Sequence, residues 1–223
     1  MDQPLDKGVV VFSGGMDSAT LLYSLLGRSP EVHALGFNYG QRHRKELQYA
    51  AALAADLGVP YTVVDLGSVT PLLKGSSQTD PTVDVPEGHY EEESMKLTVV
   101  PNRNMVMLSI AAAYAISTKA DYVAFGAHSG DHAIYPDCRA AFVDALRDVL
   151  RLADWHAVGI VAPFLSKTKA EIVSLGFDLG VPFEKTWSCY KGGEIHCGKC
   201  GTCVERREAF QLAGVYDATV YED

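Results

Sequence analysis

Residues 8–12, Gly-Val-Val-Val-Phe, form a short β-branched apolar run that stops at Ser13-Gly14-Gly15, and this junction limits the possible folds more than any other stretch. A run apolar at every position suits a strand buried on both faces of a parallel sheet, whereas a strand with one wet face would alternate. Beyond the glycines, Leu21, Leu22 and Leu25 place an apolar face on a helix that Gly27 stops. Val32 to Tyr39 reads as a second strand. Leu47, Ala50, Ala51, Ala54 and Leu57 then recur at helical spacing, Gly58 and Pro60 close that helix, and Tyr61 to Leu66 gives a third strand. Strand-helix-strand units of this length imply an α/β fold, a doubly wound parallel sheet with right-handed crossovers. Ligands then belong at the carboxyl ends of the strands.

Residues 67–98 break the rhythm with Gly, Ser, Pro, Asp and Glu and little apolar periodicity. They read either as a mobile loop serving as a lid or as a solvated insertion. Helical spacing resumes from Asn104 to Thr118 through Met105, Leu108, Ala112 and Ala115, and Tyr122 to Phe125 supplies a fourth strand. Phe142, Leu146, Val149 and Ala153 line one face of a further helix. Thr168 and Glu171 form a capping box opening another through Ile172, Leu175 and Leu179.

A chain of 223 residues holds one full α/β core with a small appendage, which places a main domain at 1–185 and a subdomain at 186–223. No apolar run approaches the roughly 20 residues of a membrane span. The start MDQPLDKG lacks the basic and apolar stretches of a signal peptide, so a cytoplasmic location with reduced cysteines is expected. A net charge of −9 argues against a broad basic surface for nucleic acid and favours a small-molecule substrate.

Ser13-Gly14-Gly15-Met16-Asp17-Ser18 joins a buried strand to a helix, where free backbone N–H groups and the positive helix end receive phosphate oxygens. The glycines allow close approach and the serine hydroxyls add donors. No Gly-Lys-Ser/Thr follows, and the spaced glycines of a dinucleotide fingerprint are missing. Asp17 is placed either to hold a metal ion that offsets the phosphate charge or to favour the helix start as an acidic first-turn residue.

Cys189, Cys197, Cys200 and Cys203 follow the pattern C-x7-C-x2-C-x2-C, with Gly198 and Gly201 permitting a tight turn. Four thiolates fit a closed, structural zinc site; an iron–sulfur cluster is the alternative. His196 would have to reach the same ion from beside Cys197, an awkward geometry. Cys138 lies apart and reads as a small buried hydrophobe.

The Ser13-Gly14-Gly15-Met16-Asp17-Ser18 loop is similar to that of the PP-loop ATP pyrophosphatase superfamily. Its combination with Phe37-Asn-Tyr-Gly-Gln-Arg-His43, Val100-Pro-Asn-Arg-Asn104, Gly126 with Asp131, YPDCR at 135–139, and TWSCY followed by HCGKCGTC resembles the 7-cyano-7-deazaguanine (preQ0) synthase family over nearly the whole chain. The resemblance implies an adenine-nucleotide alpha-hydrolase-like sheet with a small C-terminal zinc-binding helical and loop subdomain. It implies a ligase that uses ATP, magnesium and ammonia to convert 7-carboxy-7-deazaguanine through adenylated acid and amide to the nitrile. Carried onto this sequence, the nucleotide-binding residues are Phe12, Ser13, Gly14, Gly15, Met16, Asp17 and Ser18 with Asn38, Tyr39 and Gln41. Arg103, Asp131, Asp137 and Lys167 carry the catalytic site, with Lys169 the alternative to Lys167. Arg103 would pair with phosphate or the substrate carboxylate, and the two aspartates would accept from the guanine-like edge against the Tyr135 ring.

The chain has no room for a glutaminase domain, so ammonia is expected from solution or a partner. No nucleic-acid or membrane partner is expected, and a homodimer is compatible with the sequence. A tRNA-thiolating or amide-forming relative, and a zinc-ribbon binding module without catalysis, are the competing functions.

Overall fold

The computed structural model describes residues 6–90 and 92–222. Five strands, β1 (Lys7–Val11), β2 (Glu31–Asn38), β3 (Tyr61–Asp65), β4 (Tyr122–Ala124) and β5 (Gly159–Val161), form one sheet in the order β3-β2-β1-β4-β5. Every neighbouring pair is parallel, with Gly8 opposite Val32 on one side and Tyr122 on the other. The order reverses at β1, so β1 and β4 diverge into different crossovers and leave a crevice at their carboxyl ends.

Strand alternation divides the apolar residues between two cores. Val9, Leu35, Phe37, Val123 and Ile160 face α3 (Arg103–Thr118) and α4 (Ala140–Ala153). Val10, Phe12, Ala34, Tyr122 and Ala124 face α1 (Met16–Leu26), α2 (Lys45–Asp56), α5 (Lys169–Asp178) and α6 (Gly201–Ala213). Ala209 and Phe210 of α6 lie in this second core beside Ile172 and Val173 of α5, so residues 186–222 share apolar packing with the sheet. No described helix is long and apolar enough to cross a membrane.

Two expectations change. On α4 the buried stripe is Val143, Leu146 and Leu150, whereas Val149 is 51% exposed. Both stripes have helical spacing and share Leu146; contact with β5 decides between them. Residues 67–90 and 92–98 are anchored at buried points rather than solvated throughout, because Ser76, Ser77, Gln78 and Thr98 are fully buried and Tyr90 and Met95 enter the α3-side core. Hydrogen bonds hold this polar stretch: Ser77 N–H donates to Leu97 O (2.7 Å), Arg42 N–H to Gln78 O (2.9 Å) and Tyr39 Oη to Gln78 Oε1 (3.0 Å). Polar residues buried in this way leave no apolar period to read.

Gly14 has φ +80°, and a Cβ there would lie 2.7 Å from both Glu46 O and Ala50 N on α2. Gly58 is also left-handed, at φ +66°, but has open space around it. Gly14→Ala should therefore cost on the order of 2–4 kcal/mol and Gly58→Ala only about 1 kcal/mol, a difference that denaturant unfolding of the two variants will measure.

Candidate active site at the carboxyl edge of the sheet

The β1/β4 crevice opens into a cavity of about 220 Å³. Val11, Leu35, Phe37, Met107 and Phe125 give it apolar walls, and charged or polar side chains converge on it from the loops.

The β1–α1 turn forms one side. Gly15 caps α1 in an extended conformation without a side-chain cap, which leaves first-turn N–H groups for a ligand. Ser18 Oγ donates to Gly15 O (3.0 Å) and lies 3.3 Å from Ser13 Oγ, which accepts from Gly15 N–H. Phe12, Ser13, Gly15, Met16, Asp17 and Ser18 all line the cavity. Gly14 does not; its backbone packs against α2 instead.

Lys169 is the cation at this turn. The Thr168–Glu171 capping box forms as expected, with Thr168 N–H donating to Glu171 Oε2 (2.7 Å) and Glu171 N–H to Thr168 Oγ1 (3.2 Å). It presents Lys169 from the first turn of α5. Lys169 Nζ donates to Asp17 Oδ2 (2.8 Å) and lies 3.0 Å from Glu205 Oε2, an ion pair whose angles fall short of a hydrogen bond. Burial lowers the proton affinity of this ammonium, but the Asp17 and Glu205 carboxylates outweigh it and the net shift is upward. Burial likewise pushes Asp17 up, and Lys169 reverses that to hold it below its ordinary value. Asp17 Oδ1 remains buried without a hydrogen-bond partner.

Arg103 opens α3 on the far side of the cavity. Its Nη1 donates to Gln78 Oε1 (3.1 Å) and Tyr39 Oη (3.3 Å), and its guanidinium lies 5.7 Å and 6.0 Å from the Tyr39 and Tyr135 ring centres. Among the described residues no carboxylate pairs with it. Asp137 explains how it is placed: its Oδ2 accepts Asn104 N–H (3.1 Å), capping α3 from outside where left-handed Asn102 supplies no side-chain cap.

Several expected site residues therefore lie off the cavity. Asp137 is a cap rather than a lining carboxylate. Lys167 does not line the cavity either; its carbonyl accepts Ser129 N–H (3.0 Å) and Oγ (2.7 Å). Asn38 Oδ1 accepts Gly40 N–H (3.3 Å), and Gln41 is buried with its Oε1 accepting Tyr39 N–H (2.9 Å); both shape the turn after β2. Asp131, Tyr39 and Tyr135 do line the cavity. Asp131 is already engaged, accepting Tyr90 Oη (3.1 Å) and His128 N–H (3.1 Å).

Sequence reading missed Glu46 and Tyr190, which line the cavity, and Glu205, which buttresses Lys169. Glu46 follows three residues after the Phe37–His43 motif, and its only signal was a carboxylate in the first turn of an otherwise alanine-rich helix. Burial pushes it up to about 7, although the Gln41 amide and Arg103 act in the opposite direction. Burial also lowers neighbouring His43 to about 3, with Arg103 adding to the effect, so that ring is neutral.

The four expected cysteine sulfurs lie buried within 4.8 Å of one another and can hold a metal ion. Cys200 and Lys199 N–H groups donate to Cys197 Sγ (3.2 and 3.4 Å), and Cys197 N–H to Cys189 Sγ (3.4 Å), which favours thiolates. His196 is not part of the cluster: its Nε2 accepts Ser188 N–H (3.1 Å) and its ring stacks on Trp187 at 4.4 Å. The cluster is tied to the cavity, because Trp187 N–H donates to Gly14 O (2.9 Å) and Thr202 Oγ1 to Ser188 O (2.8 Å), while Trp187, Ser188 and Thr202 line the wall. Buried Arg206 fastens the segment by donating to Thr186 Oγ1 (2.8 Å) and Phe183 O (2.9 Å).

Comparison with known proteins identifies relatives of this arrangement. The family model described as queuosine biosynthesis protein QueC matches residues 7–214. A 7-cyano-7-deazaguanine synthase from Pseudoalteromonas translucida is 53% identical over 97% of this chain and 99% of its own length. One from Rhizobium rhizogenes is 54% identical over 97% and 92%. Among solved structures, the U34-tRNA thiolase NcsA of Methanococcus maripaludis with its [4Fe-4S] cluster aligns with a TM-score of 0.54 at 17% identity, over 99% of this chain and 77% of that one. NMN synthetase from Francisella tularensis aligns with a TM-score of 0.54 at 16% identity, over 96% and 80%. These two likenesses establish the shared fold.

The Glu46 shift has a measurable sign. A carboxyl raised to about 7 in the folded chain binds a proton there that the unfolded chain has already lost, so its contribution to stability falls as pH rises from roughly 4.5 to 7. Glu46→Gln should match the unaltered chain near pH 4 and exceed its stability at pH 8 by on the order of 2–3 kcal/mol, read from urea midpoints at the two pH values.

Proposed function

We propose a reaction for this chain from its membership of a family: it belongs to the queuosine biosynthesis protein QueC family. It is an ATP-dependent carbon–nitrogen ligase that converts 7-carboxy-7-deazaguanine and ammonia to 7-cyano-7-deazaguanine. The 53% identity to a synthase of that name over 97% of the chain carries this reading, and the cavity supplies groups suited to it.

The first-turn N–H groups of α1 with Ser13 and Ser18 receive the β- and γ-phosphates of ATP. Lys169 offsets their charge, and Arg103 pairs through its planar fork with the substrate carboxylate. A carboxylate oxygen attacks the α-phosphorus and pyrophosphate leaves. Ammonia adds to the acyl carbon, loses a proton, and AMP departs with the former carboxylate oxygen to leave the amide. The amide oxygen is adenylated in the same way by a second ATP. Loss of the nitrogen protons and departure of AMP with that oxygen complete the nitrile. The apolar walls limit water's access to the adenylates, and the one cradle serves both activations.

The unpartnered Asp17 Oδ1 would hold a magnesium ion bound with the triphosphate, which would offset its charge. Cys138 is no nucleophile: burial, with Asp131 and Asp137 nearby, pushes its thiol up. Ammonia is taken directly as a substrate. The four cysteines would hold a structural zinc, which would fasten the cavity wall, and residues 186–223 would be the metal-binding subdomain.

Incubation with 7-carboxy-7-deazaguanine, ATP, magnesium and ammonium should give nitrile with about two AMP per product, as mass spectrometry will show; ADP and phosphate as direct products would contradict the mechanism. Lys169→Met should lower AMP release by roughly 100-fold or more, and Lys167→Met by less than about threefold. Elemental analysis should find one zinc per chain, removed by Cys200→Ser; iron with sulfide would replace zinc by a cluster.

A further inference from the structure

Among the described residues three carboxylates line the cavity, and two are already committed. Asp17 is paired with Lys169 at 2.8 Å, and both oxygens of Asp131 accept hydrogen bonds. Glu46 differs: its Oε1 accepts only the neutral Gln41 amide (2.9 Å), with neutral His43 Nε2 beyond hydrogen-bond reach at 3.6 Å. Among the described residues neither an ammonium, a guanidinium nor a backbone N–H is hydrogen-bonded to Glu46. Its position is nevertheless fixed. Gln41 Nε2 also donates to Phe37 O (2.9 Å) and its Oε1 accepts Tyr39 N–H, so the amide that holds Glu46 is itself held at two backbone points.

The cavity thus presents one guanidinium without a carboxylate and one fixed carboxyl without a strong donor. That pair complements a flat molecule with an acid at one end and adjacent N–H donors at the other. The acid of the proposed reaction has this form, with its carboxylate on C7 and its N1–H and 2-amino group on the opposite ring. We propose that Glu46 is the specificity-determining residue for the base, accepting the N1–H and 2-amino donors while Arg103 receives the carboxylate. Oε1 can accept a ring donor in addition to Gln41, because each carboxylate oxygen has two lone pairs. Phe37 and Leu47, which line the same cavity as Glu46, suit a flat ring better than a small hydrated ammonium ion. The retention of a carboxyl whose charged form burial disfavours fits a group completed by its ligand.

This inference rests on the deazaguanine reading, and the test separates the two. Steady-state kcat/KM is measured for 7-carboxy-7-deazaguanine and for the analogue lacking the 2-amino group, in the unaltered chain, Glu46→Gln and Glu46→Asp. The unaltered chain should prefer the amino base by on the order of 100-fold or more. Glu46→Gln should reduce that preference to about fivefold or less, with KM for ATP and ammonium changed by less than about threefold. Glu46→Asp should restore part of the preference. Equal use of the two bases by the unaltered chain, a preference undiminished in Glu46→Gln, or a loss confined to the KM for ammonium would each overturn the assignment. If the unaltered chain forms no nitrile from this acid, the functional reading fails and the assignment of Glu46 fails with it.

Discussion

The turn after β1 is the contact on which the other parts of the site depend. Gly14 lets the backbone turn left-handed against α2, at a distance no Cβ would allow. Its carbonyl accepts Trp187 N–H from the cysteine-rich segment, and the next residue opens α1. One residue without a side chain therefore joins the central strand, α1, α2 and the cysteine-rich segment. Its role is packing; the groups that face the cavity are its neighbours Ser13 and Gly15. Glycine at such a turn serves close approach of backbone to backbone as much as approach to a phosphate.

The cysteine cluster is also more than a distant staple. Cys200 and Cys203 lie at the start of α6, the helix that carries Glu205 against Lys169 and buried Arg206 against the chain before Trp187. Residues 67–98 press on the same place: Gly88 N–H donates to Lys199 O, and a Cβ on Gly201 would meet Met95 Sδ at 2.7 Å. Cysteine cluster, insertion and β1–α1 turn are thus coupled through short contacts. Disorder in the cysteine-rich segment should be transmitted to Lys169.

Electrostatics divides the cavity into two regions. Near the loop, Lys169 is paired with Asp17 and ion-paired with Glu205, so its positive charge is retained despite burial. Across the cavity, Arg103 is held only by neutral acceptors and aromatic faces. A guanidinium in that setting keeps its charge for an incoming anion, whereas an ion-paired one would first have to be released.

The first four parallel strands, the capping box before Lys169 and the four cysteines were legible in the sequence because each is a local pattern: a period, a three-residue spacing or a ligand count; β5 and the order of the strands in the sheet were not. Tertiary structure alone decided which carboxylates and lysine face the cavity. Asp131 and Asp137 look alike in sequence, yet one lines the site and the other caps α3; Lys167 and Lys169 differ by two residues, and helix geometry presents the second. Glu46, Tyr190 and Glu205 come from three separate segments, and the burial that shifts Glu46 is created only when the β1 turn, α2 and the insertion pack together. Pattern within a segment is written in the order of residues, but a side chain's partners and its exposure to water depend on distant parts of the chain that meet only in the folded molecule.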